Sequence, residues 1–184
     1  MTRPAPEGVA IPARITVTGL AEAIGRTVEE VQSILRDRGE PDGPDDLLGW
    51  ELATGVAEKL GESVTVEPRD LALEILYEFE ARGELSDEPE GRAGRLALGV
   101  IEELERLDSM IEEVSEHWTV ARMPVVDRNI LRIGLFELER EPEVPTAVIV
   151  SEAVRMAQTY STERSGAFVN GVLAALARSV RSNG

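Results

Sequence analysis

"VDRNILRIGLFELE", residues 126–139, is apolar on nearly every side between Ile130 and Leu138. A helix of that kind belongs inside a bundle and not on its surface. Pro124 precedes it, and the spacing predicts a helix over 124–140. Two further helices are predicted downstream. In "EVPTAVIVSEAVRMAQTYS" (143–161), Ile149, Ala153, Met156 and Tyr160 fall at i, i+4, i+7 and i+11, one stripe of a helix over 145–161. In the segment holding "FVNGVLAALAR" (168–178), Phe168, Val172, Ala175, Leu176 and Val180 repeat that spacing and predict a helix over 167–181.

Upstream, "PRDLALEILYEFE" (68–80) aligns Ala72, Ile75, Leu76 and Phe79, with Pro68 in the first turn, where its missing N–H has no partner to lose. Gly83 is placed to end that helix. "GRLALGVIEELERLDSMIEE" (94–113) belongs to one long predicted helix whose apolar stripe runs from Ala97 to Trp118. Before Gly61–Pro68 lies a compact module. Ile15 and Val17 read as a short strand or extended entry, and Thr18 as the cap of a helix that Gly25 ends. Thr27 and Glu30 form a capping box, in which hydroxyl and carboxylate each satisfy a free backbone N–H. That second helix stops at Gly39, and a third carries Trp50, Ala53, Ala57 and Leu60 to Gly61.

Composition removes several chemistries. The chain of 184 residues has no cysteine and one histidine, His117, which excludes disulfides, thiolate catalysis and Cys-based zinc sites. His117 reads as a surface or half-buried helix residue. No phosphate-cradling glycine loop, metalloprotease helix or nucleophile elbow is present, so no catalytic residue, metal or cofactor is predicted. No stretch approaches the apolar length that spans a bilayer, and the N-terminus lacks a signal-peptide core, so the protein is expected in the cytoplasm. The formal net charge is −16, a field that repels phosphate. In the N-terminal module, five basic side chains face eleven acidic ones over residues 12–62. A helix starting Val28-Glu29-Glu30 is ill suited to reading DNA.

Taken in order, the five segments from Pro68 onward resemble the NusB family of bacterial transcription antitermination factors, over roughly residues 66–184. The resemblance implies an all-α fold, a helical bundle of two subdomains, here preceded by a small helical N-terminal module. The organisation then reads as a flexible tail over 1–11, an accessory module over 12–62 and the bundle over 66–184. "ITVTGLAEAIGRTVEEVQSILRDRGE" with "LGWELATGVAEKLG" is similar to the N-terminal module of bacterial translation initiation factor two.

The NusB resemblance implies a non-enzymatic factor in ribosomal RNA transcription. It would bind boxA-type RNA together with a small-subunit ribosomal protein, within the transcription elongation complex. The implied RNA surface maps to Arg69, Tyr77 and Phe168, with Asn170 bonding either a nucleotide or, by the favoured reading, a neighbouring loop. Read without the resemblance, Tyr77 and Phe168 serve equally as core aromatics, and Arg128 and Arg132 pair with acids such as Asp127. One departure from the family stands out: "ESVTVEP" (62–68) has no base where the family carries a basic arm. The rival reading is an acidic protein-interaction adaptor that kept the bundle and lost the RNA surface. A fused RNA methyltransferase has no room for its cofactor domain. Gly134 and Gly171, which interrupt good helices, imply close approach of another backbone. Whether the bundle forms a homodimer stays open.

Overall fold

The structure, a computed structural model, describes residues 8–85, 89–115 and 118–181. The chain divides into two compact units, residues 1–71 and 72–184.

The first unit comprises β1 (Val9–Ile11), β2 (Arg14–Thr16), α1 (Val17–Ile24), α2 (Val28–Arg38), β3 (Leu47–Gly49), α3 (Trp50–Lys59) and β4 (Val64–Val66). β1 runs parallel to β4, with Ile11 opposite Val66, and β2 runs antiparallel to β3, with Ile15 opposite Leu48. Val17, Leu20, Val31, Leu35, Leu48 and Val56 close its core. Three expectations change here. Residues 9–11 were expected within a flexible tail, but Ile11 is fully buried and its strand is hydrogen-bonded to β4. The cap of α1 is Thr16, whose Oγ1 accepts from the Gly19 N–H at 3.0 Å; Thr18 instead donates to the Pro44 carbonyl. The segment "ESVTVEP" contains β4 and so is tied into this unit. The capping box of α2 forms as expected, and its C-terminal Gly39 adopts a left-handed φ of 72°.

α4 (Pro68–Arg82) begins in the first unit and continues into the second. Then follow α5 (Gly91–Glu102), α6 (Leu104–Val114), a single 3-10 turn (Val120–Arg122), α7 (Val125–Arg140), α8 (Thr146–Tyr160) and α9 (Ser165–Arg181). α7 packs against α5, α6, α8 and α9. Ile130, Leu131, Ile133, Leu135 and Leu138 are all at most 2% exposed, as the all-round apolar pattern requires. Each such side chain contributes roughly 1.5–3 kcal/mol by leaving water.

The long helix expected to reach Trp118 is two helices with a corner at Glu103 (φ −110°, ψ 17°), and the second ends at Val114. A one-residue break turns the chain without losing the phase of the apolar stripe, so periodicity cannot reveal it. Glu103 pins the corner by accepting hydrogen bonds from Arg106 and Arg140. The glycines differ from expectation too. A Cβ on Gly134 would lie 2.8 Å from a Leu173 methyl, a side chain and not a backbone, and a Cβ on Gly171 would meet nothing within 4 Å. The close approaches are at Gly94, where a Cβ would sit 2.1 Å from the Pro89 carbonyl oxygen, and at Gly99, where it would sit 2.2 Å from the Phe136 ring.

Candidate nucleic-acid interface

α7 carries arginines at 128 and 132, one turn apart, and both point into the protein's own acids. Arg128 bonds Glu80 of α4 with two nitrogens, one at 3.0 Å. Arg132 donates to both oxygens of Asp108 on α6 at 2.7 and 2.8 Å, to Glu80 at 2.5 Å and to Asn129 Oδ1 at 2.8 Å. The acids come from other helices; among the described residues Asp127 takes no arginine and accepts instead from Ser165 Oγ at 2.8 Å. Burial opposes the charge on Glu80, but the Arg128 hydrogen bonds, with the charges of Arg128 and Arg132, hold its carboxyl below the ordinary value of 4.5. Burial likewise works against the Arg132 cation and is outweighed by Asp108 and Glu80, which raise it further. On the same helix, Arg140 bonds Glu103. Arg128 and Arg132 are thus withheld from phosphate, whereas the Arg140 side chain is exposed.

A different corner faces solvent. Trp118, 53% exposed, follows α6, and its ring centroid lies 6.3 Å from that of Phe168 on α9, with planes tilted 57°. Between α6 and α9 a groove of about 320 Å³ opens, lined by Val114, Ser115 and Trp118 on one side and by Phe168, Gly171 and Val172 on the other. Arg122 and Arg164 are exposed and make no ion pair among the described residues. Arg122 lies four residues after Trp118. Arg164 lies one turn before Phe168, whose N–H bonds its carbonyl at 3.3 Å. The exposed acids on these segments are Glu112, Glu113 and Glu163, against the two arginines, so among the described residues the corner carries a small negative excess.

The predicted site residues fare unequally. Arg69, in the first turn of α4, is 8% exposed and engaged within the protein. Burial and an existing partner are what a phosphate ligand lacks, so its expected role is corrected to a structural one. Tyr77, on the same helix, is 45% exposed and thus not a core aromatic. Phe168 is half-buried, packing on the core with one side and on Trp118 with the other. Asn170 is exposed and makes no hydrogen bond among the described residues, so the favoured loop bond is absent. Two residues along a helix is a rotation of about 200°, which sets Asn170 on the opposite face of α9 from Phe168. Trp118, Arg122, Arg164 and Ser115 were missed. An aromatic at the end of an apolar stripe was the one available signal. His117 lies outside the described residues. Among those described, no helix is long and apolar enough to cross a membrane, and no acid–histidine cluster could hold a metal.

The sequence pattern of the NusB family matches residues 58–178. The chain belongs to the NusB family. A transcription antitermination protein NusB from Sorangium cellulosum is 44% identical over 126 residues, covering 61% of this chain and 90% of its own. One from Acidothermus cellulolyticus is 49% identical over 104 residues, covering 56% and 70%. Among solved structures, T. maritima NusB is 34% identical with a TM-score of 0.55, covering 60% of this chain and 88% of its own. A crystal structure of antitermination factors NusB and NusE in complex with dsRNA is 28% identical with a TM-score of 0.52, covering 61% and 94%. The all-α NusB bundle expected from the resemblance is therefore the fold of this chain. The relatives are named as antitermination proteins and not as enzymes, in agreement with the non-enzymatic reading. The match begins at residue 58, so most of the first unit lies outside it.

Proposed function

We propose that this NusB-family chain is a transcription antitermination factor acting in ribosomal RNA synthesis in the cytoplasm. It binds boxA-type RNA jointly with a small-subunit ribosomal protein of the NusE type, within the elongation complex. The observation that carries this reading is the corner where exposed Trp118 meets half-buried Phe168, with the exposed Arg122 and Arg164 each four residues along the chain from one of the rings and making no ion pair among the described residues. Aromatic faces that receive unstacked bases, with guanidinium groups beside them, are the usual means of gripping single-stranded RNA. Tyr77, exposed on α4, is proposed as a further RNA contact. Because β4 stands where a free basic arm would provide phosphate contacts, RNA affinity of the chain alone is weak and the ribosomal protein supplies the rest. A strongly acidic surface suits that basic partner.

The first unit is proposed as an accessory docking module, in line with its likeness to the N-terminal module of initiation factor two. The adaptor reading keeps one supporting observation, the consumption of Arg128 and Arg132 in internal ion pairs. Affinity for boxA-type RNA, measured with and without the ribosomal protein across a salt series, separates the two. Antitermination requires tight, salt-sensitive binding in the partner's presence; binding of the ribosomal protein with no RNA in either case leaves only the adaptor.

A further inference from the structure

In the first unit, apolar surface and free backbone come to solvent together where β3 runs into α3. Leu47 of β3 is 65% exposed, and Trp50, the first residue of α3, is only half-buried, although Ala53 and Ala57 on its expected stripe are fully buried. Gly49 between them is exposed, and a Cβ there would meet nothing within 4 Å. Among the described residues β3 pairs with β2 alone. The Val17 N–H bonds the Asp46 carbonyl at 3.1 Å, and the register sets Ile15 opposite Leu48. Bonded and non-bonded pairs alternate along an antiparallel ladder, so the polar backbone groups of Leu48 face β2. The N–H and C=O of Leu47 and the N–H of Gly49 face the other way. Among the described residues neither N–H has a backbone acceptor. Sheet edges are commonly blunted by Lys or Pro, and β3 has neither. Residues 40–51 also hold five acids and no base. Asp42 pairs with Arg36, and Asp46 accepts from the Gly43 N–H. Glu40, Asp45 and Glu51 are exposed and make no ion pair among the described residues. On the adjoining strand the base is Arg14, opposite Gly49, and it is already engaged within the protein.

We infer that the free edge of β3 is a docking site for an extended, Lys/Arg-rich segment of a partner protein, which adds to β3 as a strand and sets an apolar side chain against Leu47. In strand addition, main-chain hydrogen bonds give affinity and alternate side chains give specificity. Leu47 and Gly49 supply the main-chain groups, and the missing side chain of Gly49 leaves room for the incoming chain. The charge of Glu40, Asp45 and Glu51 complements a basic segment and repels the phosphates of a nucleic acid. It also repels a second copy of this chain, whose net charge is −16. The inference rests on the reading of the first unit as a docking module and adds to it the edge, the mode of binding and the chemistry of the partner.

The test titrates the full-length protein with a short synthetic peptide of alternating lysine and valine and follows the backbone amides by NMR. The amides of Leu47 and Gly49 are expected to shift most and to exchange with solvent more slowly. Gly49→Pro is the sharpest variant. Gly49 has φ −68° and ψ 156°, which proline adopts without strain, so the melting temperature is expected to stay equal or rise. The proline removes the outward N–H and puts its ring in the path of the added strand, and peptide affinity is expected to fall about 10-fold. Leu47→Ser, at an exposed position, is expected to leave the melting temperature unchanged and to weaken the peptide about 3- to 10-fold. Parental affinity in Gly49→Pro means that charge alone holds the peptide, which overturns the edge site while the docking-module reading stands. Shifts elsewhere in residues 8–71, with Leu47 and Gly49 unmoved, do the same. Shifts confined to residues 72–184, or no binding at all, remove the edge site and the docking-module reading together.

Discussion

Two pairs of arginines in this molecule meet opposite fates. Arg128 and Arg132, on the most buried helix of the bundle, are enclosed by Glu80 and Asp108 from two other helices. Arg122 and Arg164, on short connecting segments, are exposed, make no ion pair among the described residues and lie four residues along the chain from Trp118 and Phe168 respectively. The same side chain is structural in one place and available to a ligand in the other. The local supply of carboxylates decides which, since a guanidinium already held bidentately by an acid has little to offer a phosphate. A net charge of −16 therefore says little about any one corner of the surface.

The comparison breaks first at Arg132. Replacing it with Met leaves Glu80 short of a partner and Asp108 without its bidentate one, and is expected to cost about 3–5 kcal/mol, read from urea denaturation. The corresponding change at the surface, Arg164→Gln, is expected to leave the denaturation midpoint within error. A similar contrast holds between glycines. Gly99→Ala drives a methyl into the Phe136 ring and is expected to cost roughly 1–3 kcal/mol, whereas Gly171→Ala, in open space, is expected to stabilise by up to about 1 kcal/mol. In the first unit, Thr27→Ala removes the capping box and is expected to cost about 1 kcal/mol.

The smallest effect is one of pH. Glu80 ionises more readily in the folded than in the unfolded chain, so its charged form stabilises the fold at neutral pH. That contribution is lost as the pH falls from about 4.5 through the folded value. Urea midpoints at pH 7 and pH 4 are expected to differ less in Glu80→Gln than in the parent.

What could be read from the sequence follows the same division. Residues 126–139 announced a buried helix because every face of it is apolar, and no tertiary partner needed to be known. The capping box at Thr27 was legible because both its bonds are local. β1 and β4 escaped notice because three-residue strands 55 positions apart exist only through each other, and their sequences carry no period of their own. The break at Glu103 was hidden by an apolar stripe that stays in phase across it. The site was the least legible part. "FVNG" pointed to Phe168, but its partner Trp118 lies 50 residues away in sequence.

The central claim, that RNA is held at the corner between α6 and α9 and not by the arginines of α7, is tested most directly by the salt dependence of boxA-type RNA affinity in the double variant Arg122→Gln/Arg164→Gln, measured with the ribosomal protein present. Loss of two phosphate contacts is expected to lower the slope of log K against log salt by about 1.4, roughly 0.7 for each, with weaker binding throughout. A slope and affinity equal to those of the parent would contradict it.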